Sequence, residues 1–219
     1  MNAAKFMNHD DPIAKALRHV GSYGCHEEAG RFQFEMLQRE GLKTSSRVLE
    51  IGCGCLNAGH WIIDFLEPVI PGCPRYVGLE PTAWLVEAGR DFFNVRKPFE
   101  HSTAEDFDAR DGTFDVVYSH SVLSHTSRAQ LADYFTACRR QLAPGGLALA
   151  SLRLCETWGG HPETDESYDY PAIRWFRRDT VLRLAKEAGL RALIRPDLRE
   201  AFMAATRGDH HHDWIEMQV

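Results

Sequence analysis

Residues 47–59 read R-V-L-E-I-G-C-G-C-L-N-A-G, and the fold is argued outward from them. Arg47 to Ile51 make a short β-branched and aliphatic run broken by one acid, Glu50. Gly52 and Gly54 then bring the backbone into a sharp turn, and a helical pattern follows from Leu56. A buried strand, a glycine turn and a helix N-terminus in that order form a cradle where a nucleotide-like ligand can lie against bare backbone. Glycine suits the turn because a Cβ would hold the ligand away and a positive φ would strain any other residue.

A dinucleotide fingerprint has a third glycine three residues after the second, but here that place is Asn57, and Gly59 arrives late. The departure argues against a pyrophosphate, whereas an acid just ahead of the first glycine suits a ligand carrying an ammonium group. The run E-I-G-C-G resembles motif I of the class I S-adenosylmethionine-dependent methyltransferases, loosely (D/E)-x-G-x-G. The resemblance implies S-adenosylmethionine as cofactor, held by Glu50, Gly52, Cys53, Gly54 and Asn57. It also implies an α/β fold, Rossmann-like, with a seven-stranded mostly parallel sheet, an antiparallel last strand, helices on both faces and an N-terminal helical lid.

Bulk properties agree with one such domain. The chain has 219 residues, 44% hydrophobic and 26% charged, with a formal net charge of -6. That length supports a sizeable core but not two comfortable domains. The negative balance gives no global attraction to nucleic acid or to an anionic membrane. No apolar run has the length of a membrane span, and the N-terminal residues lack the apolar core of a signal peptide, so a cytoplasmic protein is expected. Cys25, Cys53, Cys55, Cys73, Cys138 and Cys155 are scattered, which reads as reduced thiols. No metal is expected, since C-x-C at Cys53 and Cys55 lacks a second pair and would spoil the cradle.

Along the chain, helices are expected over residues 11–19 and 27–40, joined by G-S-Y-G-C-H, which holds Tyr23 and His26. The family resemblance makes this a lid whose loop touches ligand. The first strand, 47–51, leads to a helix near 57–66, a second strand at 75–79 and a helix near 82–91 with Trp84, Leu85 and Ala88 on its apolar side. Glu80, at the tip of the second strand beside Pro81, is placed to accept both hydroxyls of a ribose. A faint third strand within 94–101 precedes S-T-A-E-D-F, which resembles the family's adenine loop and implies cofactor contacts from Thr103, Ala104 and Glu105.

F-D-V-V-Y-S-H-S-V-L-S-H from Phe114 resembles the family's fourth-strand motif. It puts Ser119 and His120 at the carboxyl end of a central strand, on the rim where open parallel sheets bind ligands, with His125 on a short helix beyond. A helix over 128–142 ends at A-P-G-G, followed by a fifth strand at 147–153. Residues 155–176 are acidic, aromatic and without periodicity, and fall where such enzymes place substrate-binding insertions. Trp158, Tyr168, Tyr170 and Trp175 could stack on a substrate there. A helix at 179–188, a sixth strand at 191–195 and a last strand from Asp213, antiparallel at or near the sheet edge, complete the order. His210, His211 and His212 read as a loop entering that strand, because alternation sends neighbours to opposite faces. The whole is a single domain: lid 1–44, cofactor core 45–153, substrate-side insertion 154–176, and closing helix and strands 177–219.

The expected reaction is methyl transfer to a small molecule, more readily a hydroxyl, with His120 or His125 as general base because imidazole titrates near neutrality. Alternatives are N-methylation of a small amine, where the acidic insertion would hold a cationic substrate, an NAD-dependent oxidoreductase, and a non-catalytic domain that keeps the fold; metal dependence is not indicated, and a loop-supplied carboxylate pair such as Asp165 and Asp169 is the one place for it. The expected partner is the small-molecule acceptor, and no feature sets an oligomeric state.

Overall fold

A computed structural model describes residues 11–20, 25–68, 75–102, 114–159, 172–208 and 212–219. Its strands are β1 (Val48–Ile51), β2 (Tyr76–Leu79), β3 (Glu100–Ser102), β4 (Phe114–Ser119), β5 (Leu142–Leu152), β6 (Arg191–Ile194) and β7 (Asp213–Gln218). They form one seven-stranded sheet in the order β3-β2-β1-β4-β5-β7-β6. β1 to β5 pair in parallel, and β7 runs antiparallel between β5 and β6. The last strand therefore lies one place in from the edge. β1 is buried at every position because both of its faces are covered. The chain leaves it toward β2 on one side and returns as β4 on the other, which opens a crevice above its carboxyl end.

Helices α1 (Pro12–His19), α2 (His26–Arg39), α3 (Gly59–Phe65), α4 (Ala83–Phe92), α5 (Arg128–Gln141), α6 (Cys155–Trp158), α7 (Arg178–Glu187) and α8 (Pro196–Ala205) surround the sheet. Period-two alternation divides the strands between two cores. Val117, Ala148 and Ile215 face α5 and α7, whereas Val116, Tyr118, Leu149 and Trp214 face α2, α3 and α8. A third, smaller cluster joins Ile13, Ala16 and Leu17 of α1 to Cys55 and Leu85. α1 is started by Asp11, whose side chain accepts from Ile13 N–H at 3.0 Å, with Pro12 at a position that needs no donor. α5 carries a reciprocal Ser127/Gln130 capping box.

Three departures from the sequence expectations have physical causes. α8 is an additional helix whose start signals, Pro196 with Asp197 in the first turn, follow a strand directly. The expected A-P-G-G turn is instead a bulged entry to β5: Leu142 pairs with Phe114 and Leu147 with Val116, five positions against two, and Gly145 takes φ +77° in between. Trp84 is 38% exposed and not in the core; it lies along α1, under Lys15 and edge-on to His19. Among the described residues no helix is long and apolar enough to cross a membrane.

Candidate functional site

The turn after β1 passes through Gly52 at φ +71° and Gly54 at φ +50°. Gly52 N–H and Cys53 N–H both donate to the Leu79 carbonyl, at 2.7 and 3.1 Å, so the turn is tied to the end of β2. Its neighbours come close. A Cβ on Gly52 would lie 2.2 Å from Val122 Cγ2, and one on Gly54 would lie 3.1 Å from Val20 Cγ1. On other sides, a Cβ on Gly89 of α4 would meet the Cys55 carbonyl oxygen at 1.9 Å, and one on Gly30 of α2 would meet that of Asn57 at 2.2 Å. Two helices thus rest on the carbonyls of the turn, which only glycine allows.

The two acids of the cradle differ in environment. Glu50 is 4% exposed and accepts from Tyr76 O–H at 2.6 Å. Burial pushes its carboxyl up to about 8, and the Tyr76 hydrogen bond offsets part of that rise. A buried carboxyl of this kind is ready to ionise against an incoming cation. Glu80 is 9% exposed; its Oε2 accepts from Gly54 N–H at 3.2 Å and its Oε1 from Thr82 N–H at 3.0 Å. Each oxygen keeps further acceptor capacity. Pro81, exposed beside it, starts the passage into α4.

Cys53 packs on β2, where a Cβ on Gly78 would approach its Sγ at 2.7 Å. Burial pushes both thiols of the turn up, that of Cys55 to about 12, so both are small apolar packing groups at neutral pH. They belong to different clusters and do not converge on one point.

At the end of β4, Ser119 and His120 point to opposite faces. Ser119 is fully buried and its hydroxyl pairs with Tyr134 O–H at 3.0 Å, so its side chain serves the α5 core and not the cofactor rim. This corrects the expectation drawn from its position. His120 turns to the other face, stacked on Trp214 at 5.4 Å and flanked by His212 at 4.6 Å and Phe202 at 5.1 Å. His212, 2% exposed, is therefore part of the site and not simply a loop residue. His125 ends a 3-10 turn, Leu123–His125, and its Nδ1 lies 3.0 Å from the Ala172 carbonyl. That bond assigns the proton to Nδ1 and the lone pair to Nε2. Burial lowers its pKa, which keeps the ring neutral, and the Ala172 bond partly opposes the shift.

Farther along the rim, Asp213 is 1% exposed and organises α6: its carboxylate accepts from Leu154 N–H, Thr157 O–H and Trp158 Nε1–H at 3.0, 3.0 and 2.8 Å. Arg199 of α8 lies 3.6 Å from the same carboxylate. Trp158, half-buried, lines an open cavity of about 800 Å³ there. Trp175 lies under the Arg153 guanidinium at 5.3 Å. His26 is 2% exposed and packs near Phe92 of α4, so it is a packed residue and does not present itself to a substrate. Asn57 sets its backbone against α2. Tyr23, Thr103, Ala104, Glu105, Asp165, Tyr168, Asp169, Tyr170, His210 and His211 lie outside the described residues. Asp213, His212 and Arg199 are the residues at this rim whose contacts sequence reasoning missed. D-W-I-E-M-Q-V gave a strand, but nothing local marked its first acid as an anchor.

Residues 48–146 match the model of a methyltransferase domain. The core of the chain is thus similar to methyltransferase domains. The match ends inside β5, so it covers the cradle and the β4 rim but not the Asp213 side. The chain is 30% identical over 139 residues to a ubiquinone biosynthesis O-methyltransferase of Roseobacter denitrificans, an alignment covering 62% of the chain and 50% of that protein. The chain thus spans about half the length of that curated relative. Its fold is similar to that of DhpI in complex with SAH, with a TM-score of 0.60 at 14% identity over 97% of this chain and 98% of that one. It is also similar to the glycopeptide N-methyltransferase MtfA in complex with S-adenosylhomocysteine, with a TM-score of 0.59 at 17% identity over 85% of each chain.

Proposed function

We propose that the chain transfers a methyl group from S-adenosylmethionine to a hydroxyl of a small molecule, with an imidazole as general base. The observation that carries the reading is the cradle at Gly52 and Gly54, bordered by a buried acid at Glu50 and a second acid at Glu80. The cradle fits the cofactor: the turn is too tightly packed against Val122 and Val20 for any residue but glycine, which leaves its backbone bare, and the two acids match the ammonium and the ribose diol of the molecule. Glu50 would face the ammonium, whose charge favours ionising a carboxyl raised by burial. Glu80 would receive the ribose hydroxyls on the acceptor capacity that its two backbone N–H bonds leave.

Bound there, the cofactor supplies a sulfonium-activated methyl group, so the protein's remaining tasks are in-line positioning and removal of one proton. His125 suits the second task, because an imidazole donating Nδ1–H to Ala172 offers Nε2 to a hydroxyl. His120 is the other candidate, oriented by Trp214 and His212. The named O-methyltransferase relative favours oxygen as the acceptor atom.

Calorimetric titration with S-adenosylhomocysteine, with NAD in parallel, tests the cofactor: micromolar binding of the first alone is expected, and binding of NAD alone would overturn the reading. For the base, replacing His120 and His125 singly by Ala is expected to slow turnover by about 10²-fold or more at the residue that acts, with S-adenosylhomocysteine affinity unchanged. Unchanged turnover in both variants would remove the base assignment.

A further inference from the structure

We propose that the cavity between α6, α7 and α8 holds an oxyanion of the methyl acceptor, so that the acceptor is a flat small-molecule acid, a carboxylate or a phosphate ester. The inference rests on the methyltransferase reading and names the substrate class for it. The cavity, about 800 Å³, is lined by Trp158, Arg177, Arg178, Arg199 and Met203, together with Glu156 and Asp179. Its size is that of a small-molecule site. Three guanidinium groups on one cavity stand out in a chain with a net charge of -6.

The two acids of the lining have other work. Both Glu156 oxygens accept from Arg178 N–H at 3.2 Å, closing the uncapped start of α7. Asp179 Oδ1 accepts from Thr180 N–H at 2.7 Å and meets Arg177 Nε at 3.4 Å. Asp213 already takes three donors from 154–158, so Arg199 adds a fourth, longer contact at 3.6 Å. Arg199 also meets the exposed Glu200 at 3.6 Å, so both of its ion-pair contacts are long; a guanidinium has five donors in a planar fork, and two contacts beyond hydrogen-bond length leave that fork able to take a planar oxyanion. Arg178 forms no ion pair among the described residues. The Trp158 ring is fixed by its bond to Asp213 and offers a flat apolar wall, with Met203 completing it.

Helix α8 links the cavity to the rim of β4. Arg199 and Met203 are one helical turn apart on α8, and Phe202, on the same side of that helix, packs edge-on to His120 at 5.1 Å. An acid anchored at Arg199 would therefore lie along the α8 wall that leads toward His120, one of the two imidazoles proposed as the base.

The test titrates salicylate, phenyl phosphate and the uncharged salicylamide into the full chain, with and without saturating S-adenosylhomocysteine. At least one acid is expected to bind about tenfold more tightly than the amide, the effect of one charge-assisted contact, and the tighter acid identifies the anion. Arg178→Gln and Arg199→Gln are each expected to erase most of that preference without changing S-adenosylhomocysteine affinity. Arg178 is exposed, so its variant stays informative if the other fails to fold. Equal binding of acid and amide, binding of no probe, or a preference that survives both substitutions would overturn the proposal. Acid preference in a chain that binds no S-adenosylhomocysteine would support the cavity assignment and break the methyltransferase reading.

Discussion

The two sides of the rim are built from different material. On the β1–β2 side the turn is held by backbone: Gly52 and Cys53 donate to the Leu79 carbonyl, and Gly30 and Gly89 let two helices touch the turn's own carbonyls. On the β5–β7 side the elements are held by side chains: Asp213 gathers α6, and Arg195, 17% exposed, binds Glu40, Asp197 and Glu216 at 2.9, 2.7 and 2.5 Å. A backbone cradle cannot be adjusted without moving whole elements, which suits a ligand that never changes. A wall of side chains can be altered one group at a time, which suits an acceptor that differs between enzymes of one fold.

The contrast predicts unequal tolerance. Gly89→Ala would place a methyl 1.9 Å from the Cys55 carbonyl oxygen, a backbone atom that cannot swing away. We expect a loss of about 3 kcal/mol or more in urea denaturation, together with loss of S-adenosylhomocysteine binding, since α4 must shift off the turn. On the other side, Met203→Ala at the edge of an open cavity is expected to cost under about 1 kcal/mol. Equal costs would break the comparison.

Glu50 sharpens it through pH. Its carboxyl is raised to about 8 in the folded chain from an ordinary 4.5, so between those values the native state binds more protons than the unfolded state. Stability on its account is full below about 4.5 and falls as pH rises through about 8. Glu50→Gln is therefore expected to raise stability at pH 8.5 by on the order of 2–3 kcal/mol and to flatten the pH profile of melting, while weakening cofactor binding. A cationic ligand that ionises Glu50 must also release its proton, so S-adenosylhomocysteine affinity should rise from pH 6 to pH 8 in the wild type and not in the variant. Identical pH profiles in the two proteins would remove Glu50 from the ammonium site.

The cradle was legible in the sequence because its determinants are consecutive: a strand, an acid, two glycines and a helix start within 47–59, and a second acid where the next strand ends. The succession of strands and helices along the chain followed from the same local rhythm, and the sheet's architecture from the family resemblance. The β5–β7 side was not legible, because its contacts join residues far apart in the chain. Asp213 meets 154–158, and His120 meets Phe202, His212 and Trp214. Ser119 shows the gap within one residue pair. Its place at the end of β4 was readable, but which face it takes depends on the register that puts Val117 against α5, and Ser119 follows Val117 by two. α8 escaped because a helix start directly after a strand left no loop to announce it.

Arg195 is the next step down in expected effect. Removing it leaves Glu40, Asp197 and Glu216 facing one another across the junction of α2, β6 and β7. Arg195→Ala is expected to cost about 2 kcal/mol, less than a fully buried pair would, because Asp197 is largely exposed. S-adenosylhomocysteine affinity should stay within about twofold, since the cradle is tied elsewhere. A large loss of cofactor affinity would mean that the two sides of the rim are coupled and that the division drawn between them is wrong.

The smallest expected effect lies at His125, where the two sides meet. Burial lowers its pKa below the ordinary 6.5, so as pH falls under that value the unfolded chain takes up the proton first and stability is lost. The ring is only partly buried, and the contribution should stay under about 1 kcal/mol. His125→Gln keeps a donor for the Ala172 carbonyl but cannot titrate, so its melting temperature should fall less than the wild type's between pH 7 and pH 5. Turnover separates structure from chemistry at the same residue. If His125 is the base, the wild-type rate should decline on acidification only below the ordinary histidine range, because its lowered pKa keeps it neutral longer, and the Gln variant should be slow at every pH. A variant that turns over normally while losing the acid-side melting shift would make His125 a strut for the segment at Ala172 and leave His120, with His212 beside it, to take the proton.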